Sequence, residues 1–238
     1  MSLLTSGRAL YRLELSKASF VTRINRFVCE VERGGVRFLL HLTNTGRLKD
    51  LLTDGAEILY RPGSRGKTKG VLVGVVLGGF AAIIDTREQS RAFEAAFSQG
   101  LVPWLSKFNS FKREVIFEKY KIDYEFVGDG ESAFVELKSA VFLREDGAAM
   151  YPDTVSTRGR SHIEALARAV ETRPSYVVFV SAHPEARFFT PCDEADPLIR
   201  QLLKLAVDKG VVVKAVKAAL NLDGWVVWMN SELPVLLD

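Results

Sequence analysis

A mixed α/β protein, a small OB-like β-barrel leading into an α/β domain, is the fold class that three observations predict. Residues 1–85 read as short alternating strands broken by Gly-Gly and Asn-x-Gly turns, whereas residues 86–238 alternate helical and extended patterns. Charge divides at the same place: 13 Lys/Arg stand against 7 Asp/Glu in residues 1–85, and 19 against 22 in residues 86–238. The longest apolar run, Val71 to Ile84, has 14 residues and is broken by Gly78-Gly79. A bilayer needs roughly 20, so no membrane span is expected. A basic part followed by a slightly acidic one suggests two domains, 1–85 and 86–238, with different tasks.

In the first part, a strand is expected near Tyr11–Phe20. Arg26 to Arg33 alternates, Gly34-Gly35 turns the chain, and Val36 to Thr43 alternates again. Asn44-Thr45-Gly46 breaks that run, and Leu48 to Leu52 suggests a helical turn. Strands follow at Glu57–Arg61, Val71–Leu77 and Phe80–Asp85. Five such strands suffice for a barrel of the OB type, which binds nucleic acid with its strand 2–3 face and its 1–2 and 4–5 loops. Those loops carry Arg23 and Arg26, and Arg61, Arg65, Lys67 and Lys69; Arg47 follows the Asn44 break. Clustered cations of this kind contact phosphates without reading sequence, and a solvated basic loop carries the same residues. No exposed aromatic ladder for base stacking is evident, since Phe27 and Phe38 read as buried.

The second part opens with a helix over Arg87–Gln99. Strands are expected at Lys112–Glu118, Lys121–Val127, Ala133–Lys138 and Ala140–Arg144. A helix over Thr157–Glu171 carries Ile163, Leu166 and Val170 on one face. A buried strand at Tyr176–Ser181, a helix over Asp196–Lys209 and a strand at Val211–Ala215 complete an α/β order, with edge strands possible in the tail from Leu220.

The chemistry centres on one hairpin. Asp129-Gly130 is a two-residue turn signal, and if it is the loop, residues whose numbers sum to 259 face each other. Asp123 then lies opposite Glu136, and Lys138 shares the Glu136 face two residues on. Two facing carboxylates suit a hard divalent cation such as Mg²⁺ or Mn²⁺, and a lysine beside them can hold water or offset charge on a phosphodiester. A one-residue slip would separate the acids. Glu118 is a further acid in reach along the chain. An exposed hairpin of solvated charges carries the same triplet.

Arg158 and His162 lie near the start of the Thr157 helix, where anions are favoured; Ser161-x-x-Glu164 instead reads as a capping box. Cys29 and Cys192 fit no metal spacing and make a poor disulfide framework. Serine-hydrolase, P-loop and dinucleotide-binding motifs are absent from the sequence. Pro152-Asp153 follows the Glu-x-Lys triplet and is not counted with it. With no signal peptide evident, a cytoplasmic location is expected.

Six segments in order resemble the sugar fermentation stimulation protein A family: Asn25-Arg26-Phe27, His41 to Arg47, Ile122-Asp123, Val135 to Ser139, Tyr151 to Asp153, and Arg158 to Leu166. The resemblance implies an OB-like domain followed by a restriction-endonuclease-like α/β domain of the PD-(D/E)xK type. It also implies DNA as partner and a link to sugar metabolism. On it, Asp123, Glu136 and Lys138 match the nuclease-type acids and lysine, and Glu118 an upstream acid. Lys121 stands where the family usually has arginine, and Ser90 where it has asparagine. Three functions follow as expectations: a DNA-binding protein, a Mg²⁺-dependent phosphodiesterase, or a regulator binding RNA or a small molecule.

Overall fold

The computed structural model describes residues 7–238, apart from the side chain of Arg65. After β1 (Arg8–Arg12), five strands form the barrel: β2 (Ser16–Asn25), β3 (Val28–Arg33), β4 (Val36–His41), β5 (Glu57–Arg65) and β6 (Thr68–Leu77). They lie in the order β4-β3-β2-β5-β6, and a parallel bridge from His41 to Val71 joins the ends. The expected first strand, Tyr11–Phe20, is in fact two. Leu13 donates its N–H to Gly224 O at 2.8 Å, and β1 leaves the barrel to pair with a strand near the C-terminus. Between β4 and β5 the chain makes one hydrogen-bonded turn, Leu52 N to Leu48 O at 2.8 Å.

The rest of the chain is β7 (Phe80–Ile83), α1 (Thr86–Ser98), β8 (Ser110–Phe117), β9 (Tyr120–Gly128), β10 (Glu131–Ser139), β11 (Phe142–Leu143), β12 (Ala148–Tyr151), α2 (Thr157–Ala169), β13 (Ser175–Ser181), β14 (Phe188–Pro191), α3 (Pro197–Asp208), β15 (Val212–Asn221) and β16 (Trp225–Leu233). The sheet continues from the barrel as β6-β7-β15-β13-β10-β9-β8, and β16 pairs with both β15 and β1. Strand β7 is therefore common property, antiparallel to β6 on one edge and to β15 on the other. Strands β11, β12 and β14 form a small second sheet; their short runs carry little pattern, and the sequence does not signal β14.

Packing follows from this continuity. One apolar cluster runs from Leu40, Ile58 and Leu72 in the barrel through Ile83 to Phe93, Phe126 and Val178. A second lies beneath α2 and α3, where Ile163, Leu166, Ile199 and Leu203 meet Phe134, Val177 and Phe179. Strands β10 and β13 are parallel and covered on both faces, as parallel strands usually are. The β10 face that carries Glu136 and Lys138 is thus buried rather than solvated. Helix α2 begins at Thr157, capped by Ser156 Oγ accepting from Gly159 N at 3.2 Å, so the Ser161-x-x-Glu164 pattern lies inside it.

His183, just past β13, is 4% exposed and accepts from Glu185 N at 3.2 Å. Burial, with Lys217 nearby, pushes its pKa down to about 4. The unfolded chain therefore binds a proton between pH 6.5 and 4 that the native protein refuses, and stability falls on acidification through that window. His183→Asn keeps an acceptor without the titration. In urea unfolding at pH 7 and pH 5, the wild type is expected to lose about 2 kcal/mol more than this variant. Equal losses would exclude His183 as the source.

Candidate metal centre and nucleic-acid interface

The β9–β10 turn has Asp129 at φ 43° and Gly130 at φ 81°, both positive, as a type I′ turn requires. The register that it sets is the one expected: Glu131 pairs with Gly128, Ala133 with Phe126 and Val135 with Tyr124. One step further, side chains replace the backbone ladder. Asp123 N donates to Glu136 Oε2 at 3.1 Å, and Leu137 N donates to Asp123 Oδ2 at 2.8 Å. The two carboxylates are thus held against each other by backbone donors from the opposite strand.

Around them lies a buried charge cluster. Lys138 Nζ donates to Glu136 Oε1 at 2.6 Å, and His162 Nδ1 bonds the same oxygen. Glu136 is 2% exposed and Lys138 9%. Burial alone would neutralise Glu136, but Lys138 and the His162 hydrogen bond outweigh it and hold the carboxyl well below its usual range. Burial likewise opposes the Lys138 charge, and Glu136 more than offsets that, so Lys138 stays cationic. Asp123 goes the other way. Burial first, and then Glu136, push its carboxyl up to about 6. Because ionised Glu136 only accepts, His162 Nδ1 carries the proton, and Nε2 is left to accept from Arg158 Nε at 3.4 Å. His162 is buried: its partner here is the carboxylate, and Arg158 alone of the two faces solvent.

Glu118 stands apart from this cluster. It occupies the β8–β9 turn at φ 54°, where Arg168 of α2 donates to it at 3.0 and 2.8 Å. The barrel cations also divide. Arg61 turns inward to Glu88 at 2.5 Å, with Asp85 at 3.9 Å. Arg23 is consumed by carbonyls, donating to Gly46 O, to Arg47 O at 2.9 Å, to Arg26 O at 3.1 Å and to Asn44 O at 3.2 Å. Arg26, Arg47, Lys67 and Lys69 are not drawn inward in this way: Arg26, Lys67 and Lys69 lie on the barrel surface, and Arg47 lies beside the Asn44 break. The Arg65 side chain lies outside the described residues.

A cleft of about 620 Å³ separates the barrel from the α/β part, with Arg26, Phe27, Ser139, Tyr151, Asp153 and Arg158 in its walls. Ser139 directly follows Lys138, so the charge cluster lies just behind one wall. Asp153 ties the two sides: its Oδ2 accepts from Leu48 N at 2.9 Å. A Cβ on Gly46 would fall 2.5 Å from that carboxylate, so a larger residue there would have to push Asp153 away from its Leu48 hydrogen bond. Phe27 is a correction. It reads as buried from strand alternation but is 46% exposed, because Arg26 and Phe27 form the β2–β3 turn, where alternation lapses.

A barrel of the OB type running on into an α/β domain, with a buried glutamate–lysine pair just behind the cleft between them, defines the class: a two-part mixed α/β protein. Residues 21–84 match the family described as the SfsA N-terminal OB domain, and residues 87–224 that described as the sugar fermentation stimulation protein RE domain. The sugar fermentation stimulation protein homolog of Pyrococcus furiosus is 38% identical over 215 residues, 89% of this chain and 92% of that protein. The homolog of Archaeoglobus fulgidus is 37% identical over 219 residues, 91% and 94% of the two chains. The solved structure of Pyrococcus furiosus SfsA in complex with Ca²⁺ superposes with a TM-score of 0.91 at 36% identity, covering 96% of this chain and 99% of that one. The chain belongs to the sugar fermentation stimulation protein family. Among the described residues, no helix is long and apolar enough to cross a membrane.

Proposed function

We propose that the chain is a DNA-binding protein that holds a divalent cation at Asp123 and Glu136 and brings it to a backbone phosphate entering the cleft. The facing carboxylates carry this reading: Asp123 is kept close to Glu136 although that neighbour opposes its ionisation. A dication relieves the repulsion. The donors are hard oxygens, which suit Mg²⁺, Mn²⁺ or Ca²⁺. Among the described residues no three His, Cys, Asp or Glu side chains make a metal cage, so the ion proposed here takes its remaining ligands from water and phosphate, as Mg²⁺ commonly does. The Ca²⁺ complex of the Pyrococcus furiosus relative is consistent with such an ion.

Arg26, Arg47, Lys67, Lys69 and Arg158 supply phosphate contacts; Arg23 and Arg61, already paired within the protein, do not. His162 orients Glu136 rather than touching substrate, the usual work of a partner behind a metal ligand. Binding to duplex, nicked and single-stranded DNA, followed across 50–200 mM salt, tests the proposal. Affinity should fall steeply with salt. Replacing Lys67 and Lys69 together by Ala should flatten the log–log slope by about 0.9 for each duplex phosphate no longer neutralised. A wild type that binds none of the three, with or without Mg²⁺, overturns the proposal.

A second reading, hydrolysis of the phosphodiester, is favoured by one observation: Lys138 stays cationic beside the acids. A bound cation would neutralise phosphate charge and lower the pKa of a coordinated water. Lys138 then serves as a donor to that water or to developing negative charge, and a cation cannot act as the base. Glu136 fixes where its ammonium points. Metal-dependent cleavage lost in both Asp123→Asn and Lys138→Met supports this reading; an inert wild type on all three DNAs with Mg²⁺ or Mn²⁺ excludes it.

A further inference from the structure

Resting on the DNA-binding reading, we propose that the β2–β3 hairpin tip is a base-stacking wedge, with Phe27 as its ring, and that the preferred DNA carries unpaired bases beside the cleft. Phe27 is 46% exposed and Ile24, on the same hairpin, 54%. An aromatic ring on a loop tip makes little sense as core. It lies in the wall of the cleft together with Arg158, and the Arg26 guanidinium sits 5.6 Å from its ring centroid. Ring and cation together match what an unpaired nucleotide offers: a flat π face beside an anionic phosphate.

The tip is also held ready. Asn25 Oδ1 accepts from Phe27 N at 2.8 Å, closing the turn, and Phe27 O accepts from Leu42 N at 2.7 Å. Arg23 braces the other side through the carbonyls of Arg26, Asn44 and Arg47. Little backbone freedom is left to lose at the tip when a base stacks, and a tip whose backbone is already set makes a better anchor than a mobile loop. Paired bases inside a duplex present no free face, so the wedge discriminates for gaps, flaps, mismatches or single strands.

The test measures affinity for a single-stranded oligonucleotide, a duplex with a short gap and an intact duplex of the same sequence. Wild type, Phe27→Ala and Phe27→Trp are compared, with melting curves as the folding control. Phe27→Ala should bind the single strand and the gapped duplex about 5- to 150-fold more weakly, with intact-duplex affinity unchanged and Phe27→Trp restoring the loss. A 2-aminopurine placed at the gap should be quenched by wild type and not by Phe27→Ala. Equal loss on all three DNAs, or none on any, overturns the wedge while leaving DNA binding intact. A wild type that binds no DNA overturns the reading beneath it, and the wedge with it.

Discussion

Asp123→Asn is expected to remove the protein's response to divalent cations and, in their absence, to make it harder to unfold. The amide oxygen still accepts from Leu137 N, so the strand pairing is kept. The negative charge that burial first, and then Glu136, opposes is gone, and relief of the two together should add about 1–3 kcal/mol near neutral pH. The wild type should gain about 2.7 kcal/mol at a cation concentration a hundred times its dissociation constant, and the variant nothing comparable. Urea unfolding with EDTA, Mg²⁺, Mn²⁺ and Ca²⁺ in turn reads both effects. A variant stabilised by cations as much as the wild type would remove Asp123 from the centre. A metal site of this kind would store its cost without the ion and recover it on binding, so the more stable variant would be the less functional one.

Glu136→Ala should have the opposite sign and a larger size. It leaves the Lys138 ammonium buried without its 2.6 Å partner and strips the acceptor from His162 and from Asp123 N. Breaking one side of a buried pair costs about 3–5 kcal/mol. Lys138→Met should cost less, because Glu136 keeps the His162 and Asp123 N–H bonds. The double variant Glu136→Leu, Lys138→Met should recover much of the loss, since neither member of the buried pair is left without the other. Urea unfolding of the four proteins settles the order; a loss below about 1 kcal/mol for Glu136→Ala would mean that Lys138 finds solvent when its partner is removed.

What can be read in advance depends on local chemistry. Asp129-Gly130 sets a register, the register sets Asp123 against Glu136, and the structure keeps both. The main helices are legible from their apolar spacing, and the barrel from alternation and turns. Partners distant in sequence are not. Nothing near Arg8–Arg12 announces β16 as its neighbour. Arg61 reads as a free loop cation until α1 brings Glu88 against it, and Arg23 until the chain around Gly46 folds onto its guanidinium. The burial of the Glu136 face depends on α2 lying across β10, which alternation within the hairpin cannot report. Phe27 misleads for a local reason: strand parity carried one residue too far runs into a turn. The Asn25 side chain that closes that turn is the available clue.

Strand β7, only four residues long, belongs to the barrel and to the α/β sheet at once, and the apolar interior passes beneath it without a seam. Cutting the chain ahead of Thr86 would strip β15 of its neighbour there and leave open backbone donors and acceptors, the kind of raw margin that seeds aggregation. The halves that two family descriptions separate are therefore poor candidates for independent expression. The molecule should melt as one body, so that a lesion in the barrel is felt at the acids and an ion at the acids steadies the barrel.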